Sequence, residues 1–480
     1  MIIFFVIHLM GQIFAFFYKN TIFQNQYYKI NRYITFTFQK KILFIDLTIC
    51  MISLFLLYFS DLGVFVFLLS LFKKHKKTKL KFTNRIIRHF ILFLFVTIIY
   101  SFILSIYYHY LLVLLYFLPF WSTFFINSII EWLILNKNIK KAKSKLKTYH
   151  PIIIGITGSY GKTSCKNYLS LLIQKKYKVL VSPSSFNTLN GLLKTINNDL
   201  KPYHEVFIAE IGVDCKKGMD KFFRVFCFNI GAITCIGEQH LKTFKTIKNI
   251  QAEKSKLLFK SKDFSIINKD DPLINKTLTQ SSQISFSTIS ADADVFITKQ
   301  DNSIIKIQIF DSVYVSKSSL LGIHNLTNLA CAICIAKALN VSNDEIIKII
   351  PTINNVEHRL SIFKYNKWLI IDDAYNSNFK GFENALSLLA TYKTETKVII
   401  TPGVIESNHY SKNNQISIAS KINEICDIVL LINNPSFKKH INNYLSFTDF
   451  SSAYNYLKEK YYDTKLVVLI ENDLPEIFIR

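Results

Sequence analysis

The stretch IIIGITGSYGKTS, Ile152–Ser164, decides how the rest of the chain is read. A run of apolar residues leads into Gly155, Gly158 and Gly161, and Lys162-Thr163-Ser164 then opens a helical pattern. A strand that breaks in a glycine turn and restarts as a helix leaves backbone N–H groups aimed outward at the helix N-terminus, a cradle for phosphate. Gly158, Ser159, Gly161 and Ser164 would line that cradle, Lys162 would reach the β- and γ-phosphates of a nucleotide, and the Thr163 hydroxyl would bind Mg2+. The spacing departs from the general phosphate-loop pattern, because Ile156 stands where that pattern has its first glycine. A bare glycine turn is the plain alternative. The strand, the GKTS run and the helix taken together favour phosphate binding.

Downstream of this loop, short apolar runs alternate with amphipathic stretches. Candidate strands are Ile152–Ile156, Val206–Ile211, Ile230–Ile236, Phe264–Ile267, Leu369–Asp373, Lys397–Thr401, Asp427–Ile432 and Lys465–Ile470. Strands separated by helical patterns are the signature of α/β domains with largely parallel sheets. A break near Asn354–Arg359 separates an ATPase-type central domain, 148–355, from a smaller Rossmann-like α/β domain, 356–480.

Upstream, the composition changes character. The 480 residues are 50% hydrophobic with a net charge of +25, too apolar for an ordinary globular chain. Residues 1–18 are almost wholly apolar, and further apolar blocks run over Ile42–Phe72 and Phe90–Leu135. A membrane helix needs about 20 apolar residues. The basic segments Lys19–Lys41, Lys73–Lys81 and Asn136–Lys147 flank these blocks, and positive loops prefer the cytoplasm. The expectation is a transmembrane region at 1–147 with about five helices, a multi-pass location in the cell membrane, and catalytic domains on the cytoplasmic side. The alternative is a single crossing in the second block. Asp46, Asp61 and Glu131 fall at block ends and read as interfacial. A nucleic-acid partner is the lesser explanation of the charge, since no basic–aromatic recognition motif accompanies it. The eight cysteines are scattered, and Cys331/Cys334, in an Ala-rich apolar helix pattern, read as buried thiols rather than metal or redox ligands.

Thr157–Thr163, TGSYGKT, resembles the phosphate loop of the Mur ligase family, and further matches follow in order across Pro151–Arg480. FIAEIG puts Glu210 where the family has a Mg2+-binding glutamate. GEQHLKTF carries His240 at a metal-site histidine. IQAEKSKL places Lys254 at the lysine that the family carbamylates. LLGIHNLTNLACA places Asn325 at an adenine contact, EHRL places Arg359 at an ATP contact, and IIDDAYNSN places Asp373 at the ribose position. Singly these are weak signals, and their order makes them strong. The last motif is similar to the D-alanyl-D-alanine-adding branch, and YYKINRY at Tyr27–Tyr33, TPGVIE at Thr401–Glu406 and VVLIENDLPE at Val467–Glu476 look like a membrane-bound subgroup.

The resemblance implies a ligase that uses ATP and Mg2+ to turn a carboxylate into an acyl phosphate, which an amine then attacks. Lys162, Lys254 and His240 would be the catalytic residues. Thr163, Glu210, His240 and a carbamylated Lys254 would serve the metal, and Asp373 and Tyr375 would close on the nucleotide. The partners implied are a small-molecule or lipid-linked carboxylate acceptor and an amino acid or dipeptide amine, with no nucleic acid. Three departures leave substrate identity open. There is no uridine-nucleotide-binding domain ahead of the loop, VVLIENDLPE replaces a KGS-type segment, and Phe379 replaces a proline. A polyglutamate-type or other amide ligase on the same core is the alternative. A membrane transporter or scaffold with an ATP switch ranks below it, because it would leave these residues without a purpose.

Overall fold

A computed structural model describes residues 17, 19–20, 82–107, 117–183, 186–274, 281–301, 303–374, 379–393, 395–403, 411–432 and 435–471. The chain divides into two compact units, Met1–Lys137 and Asn138–Arg480.

In the first unit the expected transmembrane region is overturned: among the described residues no helix is long and apolar enough to cross a membrane. Helices α1 (Asn84–Tyr107) and the start of α2 (Phe117–Tyr149) occupy the third apolar block. Polar side chains interrupt both and bind one another. Arg88 pairs with Glu131, and the buried His89 ring lies 3.2 Å from both Asn20 Oδ1 and Thr123 Oγ1. Such pairs break an apolar run where lipid would demand continuity. The five-helix count and the multi-pass membrane location fall with it. Apart from Phe17, Lys19 and Asn20, the apolar runs at 1–18 and 42–72 and the basic segments at 19–41 and 73–81 lie outside the described residues, as does YYKINRY. The third basic segment is helical, the C-terminal part of α2.

The second unit contains two mixed α/β sheets. The first has nine strands in the order β2-β3-β1-β4-β5-β6-β7-β8-β9. Strands β1 (Ile152–Thr157), β2 (Val179–Val181), β3 (Val206–Glu210), β4 (Ile230–Ile233), β5 (Phe264–Asn268), β6 (Ser282–Ser287) and β7 (Val295–Lys299) run parallel. Buried on both faces, β1, β3 and β4 are near-continuous apolar runs. Strands β8 (Ile304–Ile309) and β9 (Ser312–Lys317) then turn back antiparallel, with buried and exposed residues alternating along β8. Asp301 accepts from the N–H groups of Ser303 and Ile304 at the first turn, and Phe310 takes φ 51° at the second. Helices α3 (Lys162–Ile173) and α4 (Ile323–Ala338) pack into one apolar core beneath this sheet. The small residues Ala330, Cys331, Ala332 and Cys334 let α4 lie close, and all four are fully buried.

The second sheet has the order β10-β11-β15-β12-β13-β14. Strands β11 (Trp368–Asp373), β12 (Thr396–Thr401), β13 (Ile428–Ile432), β14 (Leu445–Phe447) and β15 (Leu466–Glu471) are parallel, and β10 (Ser361–Tyr365) is an antiparallel edge. Helices α5 (Phe379–Ala390) and α6 (Ser411–Ile425) contribute to one of its apolar layers. The fold is therefore α/β with mixed sheets, in place of a membrane region followed by largely parallel domains.

Candidate active site

The phosphate loop forms because β1 is the middle strand of three. It pairs with β3 on one side and β4 on the other, so its C-terminal end opens between two neighbours. Glycine is demanded at two loop positions. A Cβ at Gly158 would stand 2.0 Å from Thr234 Oγ1, and one at Gly161, which has φ 80°, would stand 2.1 Å from Asn328 Oδ1. Gly161 caps α3 in left-handed backbone with no side chain bonded to the helix end, so the first N–H groups of α3 point into the loop. Ser159 ties the loop to the β4 side: its N–H donates to Cys235 O at 2.8 Å, and its hydroxyl donates to Gly237 O at 3.0 Å and accepts from Gly237 N at 2.8 Å. Ser164 is buried, its hydroxyl meeting that of Tyr168 on the same helix.

Three cationic or acidic centres converge here. The Lys162 ammonium donates to the carbonyls of Gly158 and Ser159 at 2.9 and 3.1 Å. Lys254, buried on the helix Ile247–Phe259, donates to the same Gly158 carbonyl at 2.6 Å. Glu210, buried at the end of β3, accepts from the Thr163 hydroxyl at 3.0 Å. Burial pushes the Lys254 pKa well below the usual lysine range, and the neighbouring Lys162 charge adds to it. Burial also lowers Lys162, partly offset by Glu210, with Arg359 pushing it down further. Arg359 therefore bears on the loop electrostatically, although it lies at the start of the second sheet.

The remaining predicted positions are more dispersed. His240 is half-buried in left-handed backbone at the head of the short helix Leu241–Phe244. Its carbonyl accepts from Thr243 and Phe244. Asn325 is 1% exposed, and its amide serves the protein: Oδ1 accepts from Tyr168 at 3.2 Å and Nδ2 donates to Leu321 O at 2.9 Å. Asp373, buried at the end of β11, accepts from Leu360 N at 2.9 Å. Tyr375 lies outside the described residues. Among the described residues no three His, Cys, Asp or Glu side chains form a metal-binding cluster.

Sequence reasoning missed Lys166. Its ammonium lies 3.1 Å from Glu210 Oε2, both side chains being nearly inaccessible, and donates to Ser182 O at 2.9 Å. The signal was present: Lys166 follows Thr163 by three positions, which puts both on one helix face. It also missed Asn187, whose amide reaches Glu210 Oε1 at 3.4 Å.

Comparison with known proteins agrees with this geometry. Residues 156–336 match the model of the Mur ligase middle domain. Over 248 residues the chain is 29% identical to the UDP-N-acetylmuramoyl-tripeptide–D-alanyl-D-alanine ligase of Buchnera aphidicola subsp. Baizongia pistaciae, covering 49% of this chain and 53% of that protein. It is also 29% identical to the UDP-N-acetylmuramoylalanine–D-glutamate ligase of Prochlorococcus marinus, covering 54% of each. The chain thus spans about half the length of these curated relatives. In fold it is similar to the MurF ligase of Thermotoga maritima in complex with ADP, with a TM-score of 0.63 at 23% identity over 70% of this chain and 80% of that one. On the matched middle domain, the chain belongs to the Mur ligase family.

Proposed function

We propose that this chain is an ATP-dependent acid–amino-acid ligase of cell-envelope precursor synthesis, joining the carboxylate of a peptide-bearing precursor to the amine of an amino acid or dipeptide. The observation that carries this reading is the convergence of Lys162, Lys254 and the Thr163–Glu210 pair on the Gly158 end of β1. A carboxylate oxygen is a poor leaving group, so the γ-phosphoryl of ATP is first moved onto it. The amine then attacks the acyl carbon, and inorganic phosphate departs with the electron pair of the C–O bond. Phosphoryl transfer asks chiefly for positioning and for neutralisation of spreading charge. Lys162 and the α3 N–H groups supply both to the phosphate chain, with Gly158, Ser159, Gly161 and Ser164 shaping the cradle.

The donor set suits a hard cation, since the Thr163 hydroxyl and Glu210 carboxylate are both oxygen ligands. Mg2+ held there, with His240 and a carbamylated Lys254 completing its surroundings, would offset charge on the transferring group. Carbamylation needs a neutral amine to attack carbon dioxide, and the depressed pKa of Lys254 supports that role. Asn325, Arg359 and Asp373 are assigned to the nucleoside side. The domain division that accompanies this reading is a central domain at 148–355 and a C-terminal domain at 356–480. The relatives' names suggest a D-alanyl-D-alanine-like amine and a nucleotide-linked peptide acceptor.

Purified protein supplied with ATP, Mg2+, a UDP-linked tripeptide and D-alanyl-D-alanine tests this. Phosphate release that requires both acceptor and amine, with a product heavier by the dipeptide less water, is the expected result. ATP hydrolysis indifferent to both would overturn the assignment.

A further inference from the structure

At the carboxyl edge of the second sheet, β11 and β15 end side by side on acidic residues. Their parallel register pairs Asp372 with Ile470 and Asp373 with Glu471. Paired residues of a parallel ladder share a face, so Asp373 and Glu471 lie on the side where Ile371 and Leu469 join the apolar layer of α5 and α6. Two of the three carboxylates are engaged. Asp372 holds His358 Nδ1 at 2.5 Å and Ala374 N at 3.1 Å, and Asp373 holds Leu360 N. Glu471 differs. It is 0% exposed, and neither of its oxygens has a hydrogen-bond partner among the described residues.

A buried carboxylate without a donor is costly and calls for a proton or a cation. Burial, followed by the charges of Asp373 and Asp372, raises the Glu471 pKa well above the usual range. The described residues form no metal cluster here, so the cation that fits is an organic one. One carboxylate at the end of an apolar layer, with a second beside it, matches a primary ammonium, whose three donors point from a single atom. The location also fits a ligand. Ligands of doubly wound sheets bind beyond the carboxyl ends of their parallel strands, and Leu360, which bonds Asp373, follows Arg359, whose charge reaches Lys162.

We propose that Glu471, backed by Asp373, is the recognition group for the protonated amino group of the incoming amine substrate. The proposal rests on the ligase reading for what that amine does next, but its test does not. Saturation-transfer NMR on the full chain with n-propylammonium, and with n-propanol as the uncharged isostere, reads the subsite directly. Propylammonium should bind and propanol should not. Glu471→Gln should weaken propylammonium binding by about tenfold or more, the scale of a lost charge-assisted hydrogen bond, while nucleotide affinity stays unchanged. Should Glu471→Gln fail to fold, Glu471→Asp, which keeps the charge, should retain most of the binding. Failure of the unaltered protein to bind propylammonium, or equal binding by Glu471→Gln, would overturn the proposal. Glu471-dependent binding without amine-dependent phosphate release would instead overturn the ligase reading and leave the subsite standing.

Discussion

Replacing Lys166 by Met probes the buried pair at the centre of the site. The Lys166–Glu210 contact is 3.1 Å, with side-chain exposures of 1% and 2%. At an effective dielectric of about 20, two unit charges at that separation attract by about 5 kcal/mol, and desolvation of both groups offsets much of this. Removing only the lysine leaves Glu210 buried with the Thr163 hydroxyl and Asn187 amide as its printed donors, and deprives Ser182 O of a charged donor. The expected cost of Lys166→Met is therefore about 3–5 kcal/mol. Lys166→Met/Glu210→Gln removes both charges and should recover all but about 1–2 kcal/mol of it. Urea unfolding followed by far-UV circular dichroism measures all four members of the cycle. A single substitution costing less than about 1 kcal/mol, as surface pairs do, or a double variant as unstable as the two singles summed, would refute the reasoning.

Further outcomes follow from the same geometry. Lys162→Ala should keep the fold and lower turnover by about 10²-fold or more, the loss of a preorganised donor to transferring charge, and wild-type-like ligation would reject the phosphate-loop assignment. Lys254→Ala should be nearly inactive and partly restored by added formate or acetate, which can stand in for a carbamate; unassisted full activity would reject that role. Gly161→Ala should destabilise by about 1–2 kcal/mol from left-handed backbone alone, with the Asn328 contact adding to it; calorimetric unfolding and nucleotide titration both report this. Burial and then the Arg359 charge hold His324 down to about 4, against a usual 6.5. The unfolded chain therefore takes up that proton first, and stability should be present above pH 6.5 and lost as pH falls towards 4. For this partly exposed ring the loss is about 1–2 kcal/mol after solvent screening, and His324→Asn should flatten that part of a urea-midpoint profile.

How much was legible beforehand depends on the range of the physics involved. The strand, glycine turn and helix of Ile152–Ser164 are local: apolar runs, backbone permissiveness and exposed helix N–H groups act within one short segment. For the same reason the runs at Val206, Ile230 and Leu466 could be recognised as strands, because burial on both faces leaves an unbroken apolar signature. Strands β8 and β9 escaped notice. Their residues alternate between core and solvent, and the turns at Asp301 and Phe310 carry no glycine pair. Hydropathy also misled over residues 90–135, because a sum over residue types does not register that Arg88 meets Glu131 or that His89 meets Thr123 across two helices.

What the amino-acid sequence determined by itself is the phosphate loop, the alternation of strands and helices after it, and the order of family motifs, all of which depend on neighbours along the chain. Tertiary structure alone decided which of those residues meet. Thr163 and Glu210 stand 47 positions apart yet share a hydrogen bond, and Lys254 closes on Gly158 from 96 positions away. Only the stacking of parallel strands brings such segments to one edge. The same stacking sets Lys166 against Glu210 and leaves Glu471 buried beside Asp373. Charge and burial gain their energetic meaning from those long-range contacts, because a lysine or glutamate in water is ordinary until a sheet edge removes the water around it.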